Sequence, residues 1–346
     1  MVFKGNRILL RLAAIISCFI ALFFFAACNK NSEQLEEDKR PSQVIEEENH
    51  IRAVFERHNN IYLYDEGYEQ LQSIGETTKF KELMALSPDK KNIVFKYFYE
   101  ESSNSIEVII YNLESKNYKT ITIEDLEMQN IVELKWINEK DILISAAINP
   151  SVLKYEIYDI SSMEQLNSVK GLLMKVMKDK TYLYSKGDKE INNNNLYLGE
   201  KLIYKLKNKE EEIHFADISE DEKKIAFRTI SYGKNGGEIK EYLYVAELNM
   251  DSLPLKTPEK IEIPPKVLGE VFFDNEGSLC IKGEEYVYKL QGTEFILVGE
   301  AKKDSTQPTE EQLAKFKKVL KNNFGNEFIQ DYLELEEMEI YNIQWF

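Results

Sequence analysis

Three cysteines in 346 residues are too few for a disulfide framework, and their positions leave no pair: Cys18 and Cys28 lie at the N-terminus and Cys280 stands alone far downstream. Histidine is equally scarce. His50, His58 and His214 have no metal-ligand spacing with one another or with Cys280, so no metal centre is expected. No G-x-S-x-G elbow and no glycine-rich phosphate loop occurs, which removes the usual serine hydrolase and nucleotide-binding signatures; no catalytic constellation and no cofactor are expected. Basic residues are outnumbered, 44 Lys and Arg against 60 Asp and Glu, for a net charge of −16. Phosphate contacts need clustered Lys or Arg, so nucleic acid is excluded as the main partner while cationic partners remain open.

Only one long hydrophobic run is present. Lys4, Arg7 and Arg11 precede an apolar stretch from Leu12 to Phe25, then Ala26-Ala27 and Cys28, followed at once by Asn29-Lys30-Asn31. A basic start, an apolar middle and small residues before a polar chain are the parts of a secretory leader. The segment Phe25-Ala26-Ala27-Cys28 resembles the lipobox of bacterial lipoproteins, with Phe25 where leucine is more usual. The resemblance implies cleavage after residue 27, a diacylglycerol thioether on Cys28 and a lipid-anchored protein on the extracytoplasmic face of the cell membrane. Two other readings stay open: an uncleaved anchor, for which 8–27 supplies the roughly 20 residues a spanning helix needs, and a plain signal peptide leaving Cys28 as a free thiol. Cys280, between Leu279 and Ile281, reads as a buried inert thiol.

Residues 28–50 are mostly charged and amide side chains with too little apolar surface to offset ordering, and read as a flexible acidic tether, Glu46-Glu47-Glu48 included. Beyond them the chain becomes short strands separated by turns. Leu83-Met84-Ala85-Leu86 runs into Ser87-Pro88-Asp89, a charged turn and Ile93-Val94-Phe95; His214-Phe215-Ala216-Asp217-Ile218 runs into Ser219-Glu220-Asp221, a charged turn and Ile225-Ala226-Phe227. Each is followed by a further strand, Ile106–Leu113 in the first and Tyr242–Leu248 in the second. Aspartate and serine suit such turns because their side chains bond the local backbone, and self-similarity of this kind signals a repeat architecture. These residues resemble the TolB-like, or prolyl-oligopeptidase-type, β-propeller repeat, whose pattern is a Ser-Pro-Asp-Gly turn, an Ile-Ala-Phe strand and a later Leu-Tyr-Val strand. Lys90 and Glu222 stand where that pattern has glycine. Degenerate copies around Leu134–Ile160, Met174–Tyr204 and Val271–Leu290, the last keeping Gly277, together with opening strands near Ile51, imply an all-β propeller of about six blades over 51–300.

The tail, 301–346, departs from the repeat. Thr309 and Gln312 form a capping-box pair, and Leu313, Phe316, Leu320 and Phe324 share one helical face. Phe328, Ile329, Tyr332 and Leu333 suggest a second short helical turn, and Tyr341, Ile343 and Trp345 alternate as a strand does. The segment is expected to dock on the propeller. Asp217, Glu220 and Asp221 lack the spacing of a calcium loop and read as turn chemistry. The glycine-rich hairpin loop with Tyr232, Lys234 and Asn235 is the candidate binding loop, since such loops on a rigid sheet often carry recognition. The sequence therefore points to a membrane-tethered, non-catalytic propeller that binds an envelope protein or polymer, with no oligomerisation signal. The alternative is a glycan hydrolase or lyase using carboxylates at the channel mouth.

Overall fold

The computed structural model describes residues 50–98, 105–149, 152–187, 193–232, 239–267, 269–301, 307–325 and 340–346. They form an all-β propeller of six four-stranded blades and one helix. Blade one comprises β1 (Arg52–Arg57), β2 (Asn60–Asp65) and β3 (Gln70–Ser73), with β4 (Phe80–Leu86), β5 (Asn92–Phe98), β6 (Ile106–Asn112) and β7 (Tyr118–Ile123) forming blade two. Next come β8 (Ile131–Trp136), β9 (Asp141–Asn149), β10 (Val152–Asp159), β11 (Gln165–Val176), β12 (Tyr182–Lys186), β13 (Asn195–Leu198) and β14 (Lys201–Lys205). They are hydrogen-bonded into one run because β11 serves two blades. Up to Gly171 it pairs with β10 as the outer strand of blade three, and from Leu172 it pairs with β12 as the inner strand of blade four. Gly171 makes the switch at φ 143°, where a Cβ would stand 2.4 Å from the Ser185 carbonyl oxygen; no other residue fits there. Blade five holds β15 (Glu211–Ile218), β16 (Lys224–Ser231), β17 (Lys240–Glu247) and β18 (Glu259–Glu262), and blade six β19 (Glu270–Phe273), β20 (Leu279–Lys282), β21 (Tyr286–Gln291) and β22 (Glu294–Glu300). The final strand, β23 (Ile340–Trp345), returns to pair antiparallel with β1 and supplies the missing innermost strand of blade one.

Middle strands are sandwiched between neighbouring blades and are apolar on both faces: β5 reads Asn-Ile-Val-Phe-Lys-Tyr-Phe with five consecutive buried positions. Outer strands such as β7, Tyr-Lys-Thr-Ile-Thr-Ile, are partly solvated. Five hydrophobic clusters fill the successive gaps between blades one to six. A sixth joins blade one to the helix α1 (Glu310–Phe324), not to blade six. The helix covers the face of blade one opposite blade two. The capping box is made as the sequence suggests, Thr309 with Gln312, and Gly325 ends the helix at φ 68°. Phe316, fully buried, meets Phe55 edge-on at 5.4 Å, Tyr64 at 4.9 Å and Trp345 at 5.0 Å between centroids. The possible helical turn around 328–333 lies outside the described residues.

Two turns show why the repeat tolerates the loss of its glycine. Asp89 accepts from the Ser87 hydroxyl at 2.5 Å and the Lys91 N–H at 3.1 Å, and Asp221 accepts from Ser219 at 2.7 Å and Lys223 at 3.2 Å. Between them Lys90 and Glu222 adopt φ 61° and 58°, as Lys180 and Gly277 do in two degenerate copies at 70° and 73°.

Candidate functional site

The innermost strands, β23, β4, β8, the second half of β11, β15 and β19, line the centre of the blades. Five of them carry a register shift against their neighbour, at Asn342–Ile343, Leu83–Met84, Val132, Met174 and His214, and β19 carries none. Bulges bend a strand and re-aim side chains, and they concentrate beside functional sites. The alternation of a strand pattern hides them, which is why this ring is not visible in the sequence.

A cleft of about 440 Å³ opens where β4, β8 and β23 meet, lined by residues including Met84, Glu133, Trp136, Asn342 and Gln344. Its polar groups already hold strands together. The Leu86 N–H donates to Gln344 Oε1 at 2.7 Å, the Trp136 indole to the Ala85 carbonyl at 2.9 Å, and the Ser145 hydroxyl to Glu133 Oε2 at 3.1 Å. Glu56 Oε1 takes the Met84 N–H at 2.6 Å and the Asn342 amide at 2.7 Å. Burial raises the Glu56 carboxyl above its ordinary range, and those two donors oppose the shift.

Asp217 likewise ties blades together: it pairs with Lys175 of β11 and accepts the Phe273 N–H of β19 at 2.7 Å. Glu220 pairs with Lys178 across blades at 2.9 Å, and Asp221 belongs to its turn. Among the described residues no group of three His, Cys, Asp or Glu is close enough to hold a metal ion. His214 sits at the β15 bulge, 3.8 Å from Glu212 Oε2, with its own Nε2 buried and without a hydrogen bond. Burial holds its imidazole below the ordinary histidine range against the opposing pull of Glu212. Cys280 is 3% exposed and burial raises its thiol, which disfavours the reactive thiolate. His58 occupies the two-residue turn between β1 and β2 with Asn59, both at positive φ.

Tyr232 of the candidate loop is 45% exposed; its partners Lys234 and Asn235, and the Cys28 lipidation position, lie outside the described residues.

A larger cleft, of about 1030 Å³, opens at the end of blades five and six. Phe215, Tyr286 and Tyr288 supply apolar walls, and Lys266, Glu270, Lys282, Glu284 and Glu285 ring it. Arg228 braces two of its lining residues, donating from Nη1 to the Gly269 carbonyl at 2.6 Å and standing with its guanidinium 5.4 Å from the centre of the Phe215 ring, while Nε donates to Glu241 at 2.6 Å. Gly269 is required because a Cβ would fall 2.0 Å from the Lys282 carbonyl oxygen. In the sequence Tyr286–Leu290 reads only as a strand; the run Gly283-Glu284-Glu285 before two alternating tyrosines is the signal that points to the cleft.

No protein-family model matches the chain, and no curated protein does. Several solved structures align with it. The acylaminoacyl peptidase of Pyrococcus horikoshii is 14% identical, with 73% of this chain and 44% of that one covered at a TM-score of 0.42. The β-propeller domain of the trilobed protease from Pyrococcus furiosus is 17% identical over 72% of this chain and 82% of that one, TM-score 0.40. TolB from Acinetobacter baumannii is 15% identical over 69% and 60%, TM-score 0.33. The chain thus spans less than half of the peptidase and 60% of TolB, and the likeness extends to fold alone.

Proposed function

We propose that this chain is an extracytoplasmic lipoprotein, held to the cell membrane by lipid on Cys28, whose propeller is a non-catalytic binding or protein-interaction module of the cell envelope. The observation that carries the reading is a contrast between carboxylates on or beside the inner strands and those around the larger cleft. At the centre, Glu56, Glu133 and Asp217 hold strands or blades together. At the end of blades five and six, Lys266, Glu270, Lys282, Glu284 and Glu285 surround aromatic walls, and none of the five has an ion pair among the described residues. Side chains already bonded in the resting fold support architecture, whereas free charge beside aromatic surface supports recognition. The leader and the lipobox-like residues 25–28 support the tether.

The test is recovery of the full-length protein from its native membrane, with a Cys28→Ala control and mass spectrometry of both the N-terminus and whatever co-purifies. A diacylglyceryl N-terminus at residue 28 and a protein or envelope polymer bound only to the tethered form are expected. An unmodified N-terminus with nothing co-purifying overturns the reading.

A further inference from the structure

The outermost strand of blade six differs from its counterparts. Sheet order ends at β22, so its outer row of backbone N–H and C=O groups faces away from the blade. Its centre reads Phe295-Ile296-Leu297-Val298-Gly299, with Ile296, Leu297 and Val298 exposed by 40%, 54% and 52%. The outer strands of the other blades expose at most one large apolar side chain each, such as Tyr118 in β7 and Leu166 in β11. Exposed edges are ordinarily protected by lysine, proline or inward charge. Within β22 only a register shift near Gly299 interrupts the edge, and its charges are confined to the ends, Glu294 and Glu300.

The Glu300 end meets the larger cleft. Glu300 lies opposite Tyr286 in the sheet, and the Ala301 N–H donates to the Glu285 carbonyl at 2.8 Å. Glu284, Glu285 and Glu300 therefore gather at one end of the edge, and no ion pair engages them among the described residues. From this we infer that β22 is a strand-addition site for a partner polypeptide: an extended segment with alternating apolar side chains and Lys or Arg at one end. Backbone pairing along β22 supplies affinity, and the basic end, seated against Glu284, Glu285 and Glu300, supplies direction and register. A second copy of this chain is the poorer occupant, because antiparallel pairing of two β22 strands sets Glu294 of one against Glu300 of the other. The inference rests on the interaction reading above and names the surface that would serve it.

The test uses the full-length protein and a short acetylated peptide of alternating Thr and Val with Arg-Arg at one end. Hydrogen exchange is expected to show new protection of the amides in β22 when the peptide binds. The same peptide N-methylated at alternate residues, and the protein variant Glu284→Gln/Glu285→Gln/Glu300→Gln, are each expected to weaken binding about tenfold. Protection elsewhere, undiminished binding of the N-methylated peptide, or protection of β22 that rises with protein concentration alone overturns the inference. Membrane recovery separates its failure from failure of the wider reading. Equal capture of the same membrane protein by wild type and by Ile296→Lys/Val298→Lys overturns the β22 site and leaves the interaction propeller standing; capture of nothing by either overturns the interaction propeller itself.

Discussion

Lys90 and Glu222, far apart in the chain, hold the same left-handed backbone at the same position of two matching turns, φ 61° and 58°. Each follows an aspartate whose carboxylate bonds a serine hydroxyl and the N–H two residues on. The left-handed region costs a residue with a Cβ about 1–2 kcal/mol, against about 0.5–1 kcal/mol of extra chain entropy for glycine. Lys90→Gly and Glu222→Gly are therefore each expected to raise stability by up to about 1 kcal/mol, read as a rise in thermal midpoint. A fall in midpoint would show that the charged side chains matter more than the backbone there.

Gln344 on the last strand accepts the Leu86 N–H of blade two at 2.7 Å. Gln344→Ala leaves that N–H without a partner at the joint between two blades, a loss of about 1–3 kcal/mol. The expected readout is a lower denaturant midpoint with faster amide exchange at Leu86; Gln344→Glu, which keeps an acceptor, should recover the exchange protection at Leu86.

Phe316 joins α1 to blade one through Phe55, Tyr64 and Trp345. Phe316→Ala should cost about 3–5 kcal/mol, as removal of a buried aromatic does. Urea unfolding followed by tryptophan fluorescence reports it, since Trp345 lies in the same cluster. A cost below about 1 kcal/mol would mean that α1 adds little to the stability of blade one.

His214 is held below its ordinary value by burial, with Arg228 acting in the same direction and Glu212 and Glu241 against it. The unfolded chain, with its histidine near 6.5, then takes up a proton that the native state refuses. Stability is unaffected above that value and falls as pH drops through it towards the lower native value. His214→Gln is expected to flatten this slope, measured as urea midpoints between about pH 7.5 and pH 5. An unchanged slope would assign the acid sensitivity to other groups.

The repeats were legible because their information is local. Ser87-Pro88-Asp89 and Ser219-Glu220-Asp221 bond their own backbone within a few residues, and the strands that follow are continuous apolar runs. Thr309 and Gln312 were legible for the same reason. The bulges at Val132, Met174 and His214 were not, because a single extra residue in a strand changes no side-chain type and is set by the partner strand. The role of α1 was equally hidden: its apolar face was visible in the sequence, but not that it would cover blade one where a sixth inter-blade cluster would otherwise stand. The cleft of Phe215, Glu284, Glu285 and Tyr286 unites residues from two blades, and only the folded chain brings them together.

The innermost strand of blade one comes from residues 340–345, and the backbone of Phe346 exchanges hydrogen bonds with Arg52 at 2.7 and 2.8 Å. Without residues 340–346 the first blade therefore lacks its innermost strand, whatever the other five have done. A chain that stops short of residue 340 leaves the inner edge of β1 without its partner strand, so the order of blade one is tied to residues far from it in sequence and not to its own hairpins.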